Sequence, residues 1–118
     1  MNPARLAFCI LLAALGWIVG CVPLMHHPDP LEGWHFYDDE RLDKTIKDDY
    51  QDYIQKLPPE TKYYVRGFNI HVFEDGTGRR AVKISIPLNG VWWEHVLIYD
   101  KDNKRVKVTK YASGRYAC

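Results

Sequence analysis

The chain has 118 residues, of which 16 are basic and 15 are acidic, so its formal net charge is +1. This length is typical of one domain with one modest core. The balanced charge gives no sign of the basic surface that nucleic-acid-binding proteins present, and we therefore expect no nucleic-acid partner.

The first twenty residues have the three parts of a secretory signal. Arg5 supplies a positive charge, and the stretch from Leu6 to Gly20 is largely apolar and carries no charge. Small residues stand before the expected cut, as they do in secreted proteins. Residues 1–20 are therefore predicted to be a signal peptide.

The apolar stretch ends in Ile18-Val19-Gly20-Cys21. These four residues resemble the lipobox of bacterial lipoproteins: a branched aliphatic residue, a small or aliphatic residue, glycine or alanine, then cysteine. The resemblance implies that the Cys21 sulfur carries a diacylglycerol and that its amino group, once exposed, can take a third acyl chain. Two or three chains would hold the protein firmly on a membrane.

The resemblance also bears on which membrane receives the chain. In enteric-type lipoproteins, aspartate after the lipidated cysteine retains the protein at the inner membrane, and Val22 stands there instead. We therefore expect the periplasmic side of the outer membrane, provided that the source has two membranes. A retained signal anchor is the alternative, because about twenty apolar residues can span a bilayer.

The cysteine count agrees with lipidation. Cys9 leaves with the signal and Cys21 takes the lipid, so Cys118 alone remains. One thiol cannot form an intramolecular disulfide, and Cys118 is either free or paired with another chain. The oligomeric state stays open, and the domain has to be held together by its core.

Residues 21–32 are predicted to be the lipidated cysteine and a tether, because three prolines in this stretch favour extended backbone. His26 and His27 are adjacent here, and neighbouring side chains in a tether rarely converge on one ion. We therefore expect no metal site in the tether.

Residues 33–118 are predicted to form a single α+β domain that begins with a helix from Asp38 to Leu57. Asp38 and Asp39 are good N-cap residues, and Pro58-Pro59 ends the helix. The apolar side chains that recur at helical spacing are Leu42, Ile46, Tyr50, Tyr53 and Leu57.

After the helix the apolar pattern changes to a period of two, which predicts strands. Four strands are predicted, and Asn89-Gly90 between the second and third is a strong hairpin signal. A helix packed on a four-stranded antiparallel meander is the simplest fold, and it resembles a cystatin-like roll in shape. The predicted strands are Tyr63–Glu74, Arg80–Leu88, Val91–Tyr99 and Arg105–Tyr111.

The turns predict which strand residues share a face. A two-residue turn at Asn89-Gly90 pairs the strands on either side of it, and one at Asp102-Asn103 pairs Tyr99 with Val106. Both turns agree on one core face. Its members are Val82, Ile84, Ile86, Leu88, Val91, Trp93, Leu97, Tyr99, Val106 and Val108.

The opposite face then carries large apolar side chains that the helix does not cover. Three explanations are open: the aromatic stretch at residues 34–37 wraps over them, they form a partner-binding patch, or the register is shifted by one residue. The residues expected to contact a partner are Trp92, Val96 and Ile98, with Trp34 and Tyr37 at the edge.

No sequence motif indicates catalysis. The histidines lack metal-ligand spacing, no nucleophile elbow surrounds Ser85, and Glu94 and His95 point to opposite faces of a strand. We expect no catalytic residue, no metal ligand and no cofactor.

The function that fits is a membrane-anchored envelope lipoprotein with a small non-catalytic binding domain. An inhibitor or immunity protein and an envelope-assembly accessory are the two roles considered. The alternatives are an enzyme with a dispersed site, which requires a deep pocket at His71, His95 or Glu94, and a purely structural envelope protein.

Overall fold

The computed structural model describes residues 29–115, except for the side chain of Phe68. The predicted signal peptide, the lipobox with Cys21, His26-His27 and Cys118 lie outside the described residues. Between residues 29 and 115, no helix is long and apolar enough to cross a membrane.

Five antiparallel strands form one sheet in chain order, which confirms the α+β class. The predicted number of four strands was wrong, because a two-residue strand at the start of the domain pairs with the next strand. So short a strand leaves no alternating pattern in the sequence. The strands are β1 (His35–Phe36), β2 (Ile70–Glu74), β3 (Arg80–Leu88), β4 (Val91–Tyr99) and β5 (Arg105–Arg115), and the α-helices are α1 (Lys44–Gln55) and α2 (Pro59–Lys62).

The predicted helix from Asp38 to Leu57 is divided in the structure. A 3-10 turn at Asp39–Arg41 comes first, and Asp38 caps it by accepting from the amide of Glu40 at 3.0 Å. Asp43 then caps α1 by accepting from the Thr45 amide at 2.8 Å. An aspartate side chain that bonds a nearby amide offers the backbone an alternative to a continuous helix, which explains the interruption.

Two strand boundaries also differ from the prediction. The strand expected to begin at Tyr63 begins at Ile70, because the chain turns at residues 63–64, directly after α2, and forms a 3-10 turn at Gly67–Asn69. Pro59 is well placed at the start of α2, since the first turn of a helix does not need its missing amide hydrogen. The last strand continues through Ser113-Gly114 to Arg115 instead of ending at Tyr111.

The register between β3 and β4 is confirmed along the whole hairpin, from Leu88 opposite Val91 to Arg80 opposite Tyr99. The next pairing is partly wrong: Tyr99 lies opposite Arg105, because a bulge displaces Val106. The bulge lets Arg105 face α1, where its Nε lies 3.6 Å from a carboxylate oxygen of Asp49. Val106, a predicted core residue, is consequently exposed.

One apolar core lies between α1 and the sheet, and we call this side of the sheet the helix face. Tyr50, Tyr53, Ile54 and Leu57 pack against it from the helix and its end. Its buried members are Leu42, Ile46, Val72, Val82, Ile84, Ile86, Leu97 and Tyr99.

A second core lies on the opposite side of the sheet, which we call the segment face. The chain from residue 29 to residue 34, the covering segment, places Leu31 and Trp34 over it. Leu31 is buried there, although the sequence interpretation assigned it to the tether. The members of this core are Leu31, Ala81, Val96 and Ile98, with Trp34, Phe73 and Tyr111 packed against them.

Candidate functional site

The helix is shorter than the sheet it covers. α1 has 12 residues and is therefore about 18 Å long, whereas the nine residues of β4 span about 30 Å. Its first half is tied to the sheet by Tyr99, whose hydroxyl donates to Asp49 at 2.6 Å. Its last turn places the Tyr53 hydroxyl 2.7 Å from Nδ1 of His95. The strand residues beyond His95 lie past the end of α1, where Thr61 of the short helix α2 lines the space beside Trp93.

A groove opens at this end of the helix face, and we call it the helix-end groove. Its volume is about 250 Å³. Most of its wall is apolar, and the polar side chains that reach it come from different elements. Its walls include Leu57, Thr61, Leu88, Trp93, His95 and Lys110.

Trp93 is the largest side chain of the groove. The alternation of β4 places it in the predicted core face, yet it is 39% exposed. The cause is that α1 ends at Gln55, and the short helix that begins at Pro59 lines the groove beside Trp93 without covering it. A tryptophan left accessible in an apolar concavity is the kind of side chain that carries binding energy at protein interfaces.

His95 is the buried polar side chain at the base of the groove. Burial, with a smaller contribution from the positive charge of Lys110, lowers its pKa to about 4. The ring is therefore neutral at neutral pH. Burial also raises the pKa of the Tyr53 phenol, so that this partner keeps its proton.

A second polar cluster lies on the segment face, where Glu94 is buried. Its two carboxylate oxygens accept from the Ser85 hydroxyl at 2.5 Å and the Ser113 hydroxyl at 2.9 Å. Ser113 reaches Glu94 because β5 bulges at this residue, and a bulge redirects side chains. Burial, with the charges of Asp29 and Glu94, raises the pKa of Tyr111 to about 12. The cluster satisfies a buried carboxylate, and it brings neither serine a histidine or lysine partner.

The structure places the three residues considered for a dispersed enzyme site, His71, His95 and Glu94, apart from one another. His95 bonds to the helix and Glu94 bonds to the segment-face serines, so the two neighbours lie on opposite faces as predicted. His71 is exposed on β2, two strands away from His95. Within residues 29–115, no three side chains of the metal-binding types lie close enough to hold an ion.

The residues predicted to contact a partner fall into two groups. Val96 is 0% exposed and Ile98 is 8% exposed beneath the covering segment, so a partner could reach them only if that segment moved away. Trp92 and Trp34 are half-buried, and contact through them stays a prediction.

Tyr37, the fifth predicted contact residue, leaves the segment face altogether. It packs against the core beneath α1, and its ring lies 4.1 Å from the Arg80 guanidinium carbon and 5.8 Å from that of Arg41. These cation–π contacts hold it at the N-terminal end of the helix face. Contact with a partner through Tyr37 likewise stays a prediction.

The groove residues themselves were not predicted as a site. Trp93 was assigned to the core, and Tyr63, which is 67% exposed beyond the groove, was assigned to a strand. The sequence carried no signal for the groove, because the helix predicted from Asp38 to Leu57 would be about as long as β4, and only the observed division of that helix makes α1 shorter than the sheet.

Compared with known proteins, the chain matches no family model, no curated protein and no solved structure. Its fold and its candidate site therefore have to be argued from its own residues.

Proposed function

We propose that this chain is an exported, lipid-anchored envelope protein whose folded domain binds a partner protein without catalysing a reaction. The observation that carries the proposal is the helix-end groove, where Trp93 is left accessible among apolar side chains. An apolar concavity with a few converging polar groups is the usual form of a binding site.

The anchoring part of the proposal rests on the sequence. The charge-free stretch before Ile18-Val19-Gly20-Cys21 and the prolines after it fit a lipidated N-terminus followed by a tether. Outer-membrane delivery belongs to the same proposal, as does the cystatin-like roll as a description of shape. The tether would hold the domain close to the membrane surface.

A mass measurement tests the anchor. We expect the chain isolated from membranes to begin at Cys21 and to carry two or three acyl chains. A chain that still begins with Met1 would identify a retained signal anchor and overturn lipidation.

The non-catalytic part of the proposal is supported by the hydrogen bonding. Ser85 and Ser113 are both engaged by Glu94, and His95 is engaged by Tyr53. None of these contacts pairs a serine with a histidine or lysine, the bases that most often activate a serine for acyl transfer. These hydrogen bonds thus support the fold, and His95 also lines the groove.

Photo-crosslinking in intact membranes tests the binding site. A photoreactive amino acid placed at position 93 of the full-length chain is expected to give a discrete adduct with one partner. The matched control is position 36, because Phe36 is also an exposed aromatic residue but lies on β1, at the other edge of the sheet. Equal labelling from both positions, or none from position 93, would overturn the groove as the site.

The identity of the adduct separates the two roles. An enzyme or toxin whose activity falls when this chain is added would support an inhibitor or immunity role. A component of an envelope assembly, with no activity to inhibit, would support an accessory role.

A further inference from the structure

Two hydrogen-bond donors stand side by side on one wall of the helix-end groove. His95 on β4 and Lys110 on β5 lie directly opposite each other in the sheet, and both line the groove. Side chains at opposed positions of antiparallel strands have Cβ atoms about 5 Å apart. A single acceptor group can therefore reach both.

The bond to Tyr53 links the tautomer of His95 to the direction of the phenol hydrogen. The Tyr53 hydroxyl lies 2.7 Å from Nδ1, and we assign it as the donor to that nitrogen because residues 29–115 offer it no other acceptor. The hydrogen of the neutral ring is then on Nε2.

Nε2 has no hydrogen-bond partner among the described residues. Nε2 is also accessible at the surface. Among residues 29–115, the one side-chain polar atom that is both fully buried and without a partner is Oγ1 of Thr109. The N–H at Nε2 is therefore available to a molecule in the groove, next to the ammonium group of Lys110.

The groove continues into a wider hollow. Thr61 and Leu88 line both spaces, and the second has a volume of about 670 Å³ with Tyr63 and Tyr64 in its wall. Both tyrosines are exposed. The first space has room for one apolar side chain beside the two donors, and the second provides a surface over which an attached chain can run.

We infer that the helix-end groove takes the C-terminal end of a partner polypeptide, with an apolar last side chain against Trp93 and Leu88 and the terminal carboxylate on Nε2 of His95 and Nζ of Lys110. The inference rests on the proposed function and names the part of the partner that is bound. The carboxylate matches the positive charge and the available N–H, and capture of a terminal carboxylate is a recurring form of peptide recognition. The open second hollow favours a chain end over a small free acid, which would leave that hollow empty.

Histidine resonances report directly on this contact. The full-length chain, labelled with ¹⁵N in histidine, is titrated with acetyl-glycyl-glycyl-phenylalanine, with the same peptide as its amide, and with 3-phenylpropionate. We expect the free-carboxylate peptide to shift the His95 side-chain signals and leave those of His71 unchanged. It should bind at least about tenfold more tightly than either other ligand, a ratio that corresponds to one good interaction.

Two lysine variants locate the charge. Lys110→Gln is expected to reduce the preference for the free carboxylate over the amide several-fold. Lys107→Gln is the matched control, because Lys107 lies on the same strand opposite Ile98, on the segment face. A variant that fails to fold would be recognised by loss of the dispersed His71 and His95 signals. Leu88→Ala tests the apolar wall separately, and it is expected to weaken binding of the peptide's last side chain.

The outcomes are distinguishable from failure of the proposed function. Equal binding of peptide acid and amide, or a free acid that binds as tightly as the peptide, overturns the chain-end inference. If a partner is cross-linked at position 93 but the peptides leave His95 unchanged, the inference is also overturned, while the proposed function stands.

Discussion

The two faces of the sheet are buried by different means. On the helix face, one regular element presents Ile46 to a core of strand residues and is fixed by the bond from Tyr99 to Asp49. On the segment face, six residues without a regular fold place Leu31 and Trp34 over Val96 and Ile98. The helix α1 leaves a groove where it ends, whereas the covering segment follows the surface of the sheet beneath it. Position in the sheet alone therefore does not decide what is accessible.

The first way to test this comparison is to weaken the helix face. Ile46→Ala removes a fully buried side chain, and we expect the free energy of unfolding to fall by about 4 kcal/mol. Urea unfolding of the full-length chain measures it. Gln51→Ala, on the exposed side of α1, is the control and should change little. Equal losses from both variants would mean that α1 does not hold the core.

The second test uses pH at the groove end of the same face. Because the pKa of His95 is lowered to about 4, the unfolded chain binds a proton more readily than the folded chain. The contribution of the neutral His95 ring to stability is complete above about pH 6.5 and is lost as the pH falls through about 4, for a total of about 3 kcal/mol.

The variant His95→Gln should remove that part of the pH dependence. His71→Gln is the matched control, since it also removes one histidine but from an exposed position. Unfolding curves between pH 4 and 7.5 give the comparison, and a His71→Gln profile as flat as that of His95→Gln would contradict the assignment.

The third test weakens the segment face. Leu31→Ala is expected to lower the free energy of unfolding by about 2 kcal/mol, less than Ile46→Ala, because the covering segment can adjust around the loss. The amide of Trp34, which donates to the Leu31 carbonyl at 3.0 Å, should exchange faster while the amides of α1 do not. Glu32→Ala, at an exposed neighbour, is the control. Faster amide exchange in both the covering segment and α1 would show that the two elements open together.

The smallest effect on stability is expected at β1, the edge strand of the sheet. Phe36 is 76% exposed and stacks on Phe73 with ring centroids 4.8 Å apart. Phe36→Ala should cost about 0.5–1 kcal/mol, the usual value of one aromatic pair. Phe73→Ala, which also loses contact with the segment-face core, should cost more in the same urea experiment. The reverse order would give β1 a larger role than its two residues suggest.

Local patterns predicted the parts of the fold that depend on neighbouring residues. The alternation of β3 and β4 with Asn89-Gly90 between them predicted the full register of that hairpin, and the helical spacing predicted that Ile46 faces the core. Both signals come from residues that are close in the chain.

The parts that were missed depend on distant contacts. The bulge at Val106 brings Arg105 towards Asp49, which lies on a different element. The role of Leu31 depends on the surface that β3 and β4 offer, and its own neighbours carry no periodic pattern. The groove at Trp93 arises from the lengths of a helix and a sheet together, so no residue pattern within β4 reports it.

If the chain is lipid-anchored as proposed, the outer edge of β5 has a consequence for copies that share one membrane. No strand pairs with this edge among residues 29–115. Exposed edges are templates for strand-by-strand aggregation, and confinement to a surface raises the frequency of encounters. β5 carries Arg105, Lys107, Lys110 and Arg115 and no acidic residue. Two such edges would bring eight positive charges together, so the strand repels its own copies while its backbone remains open.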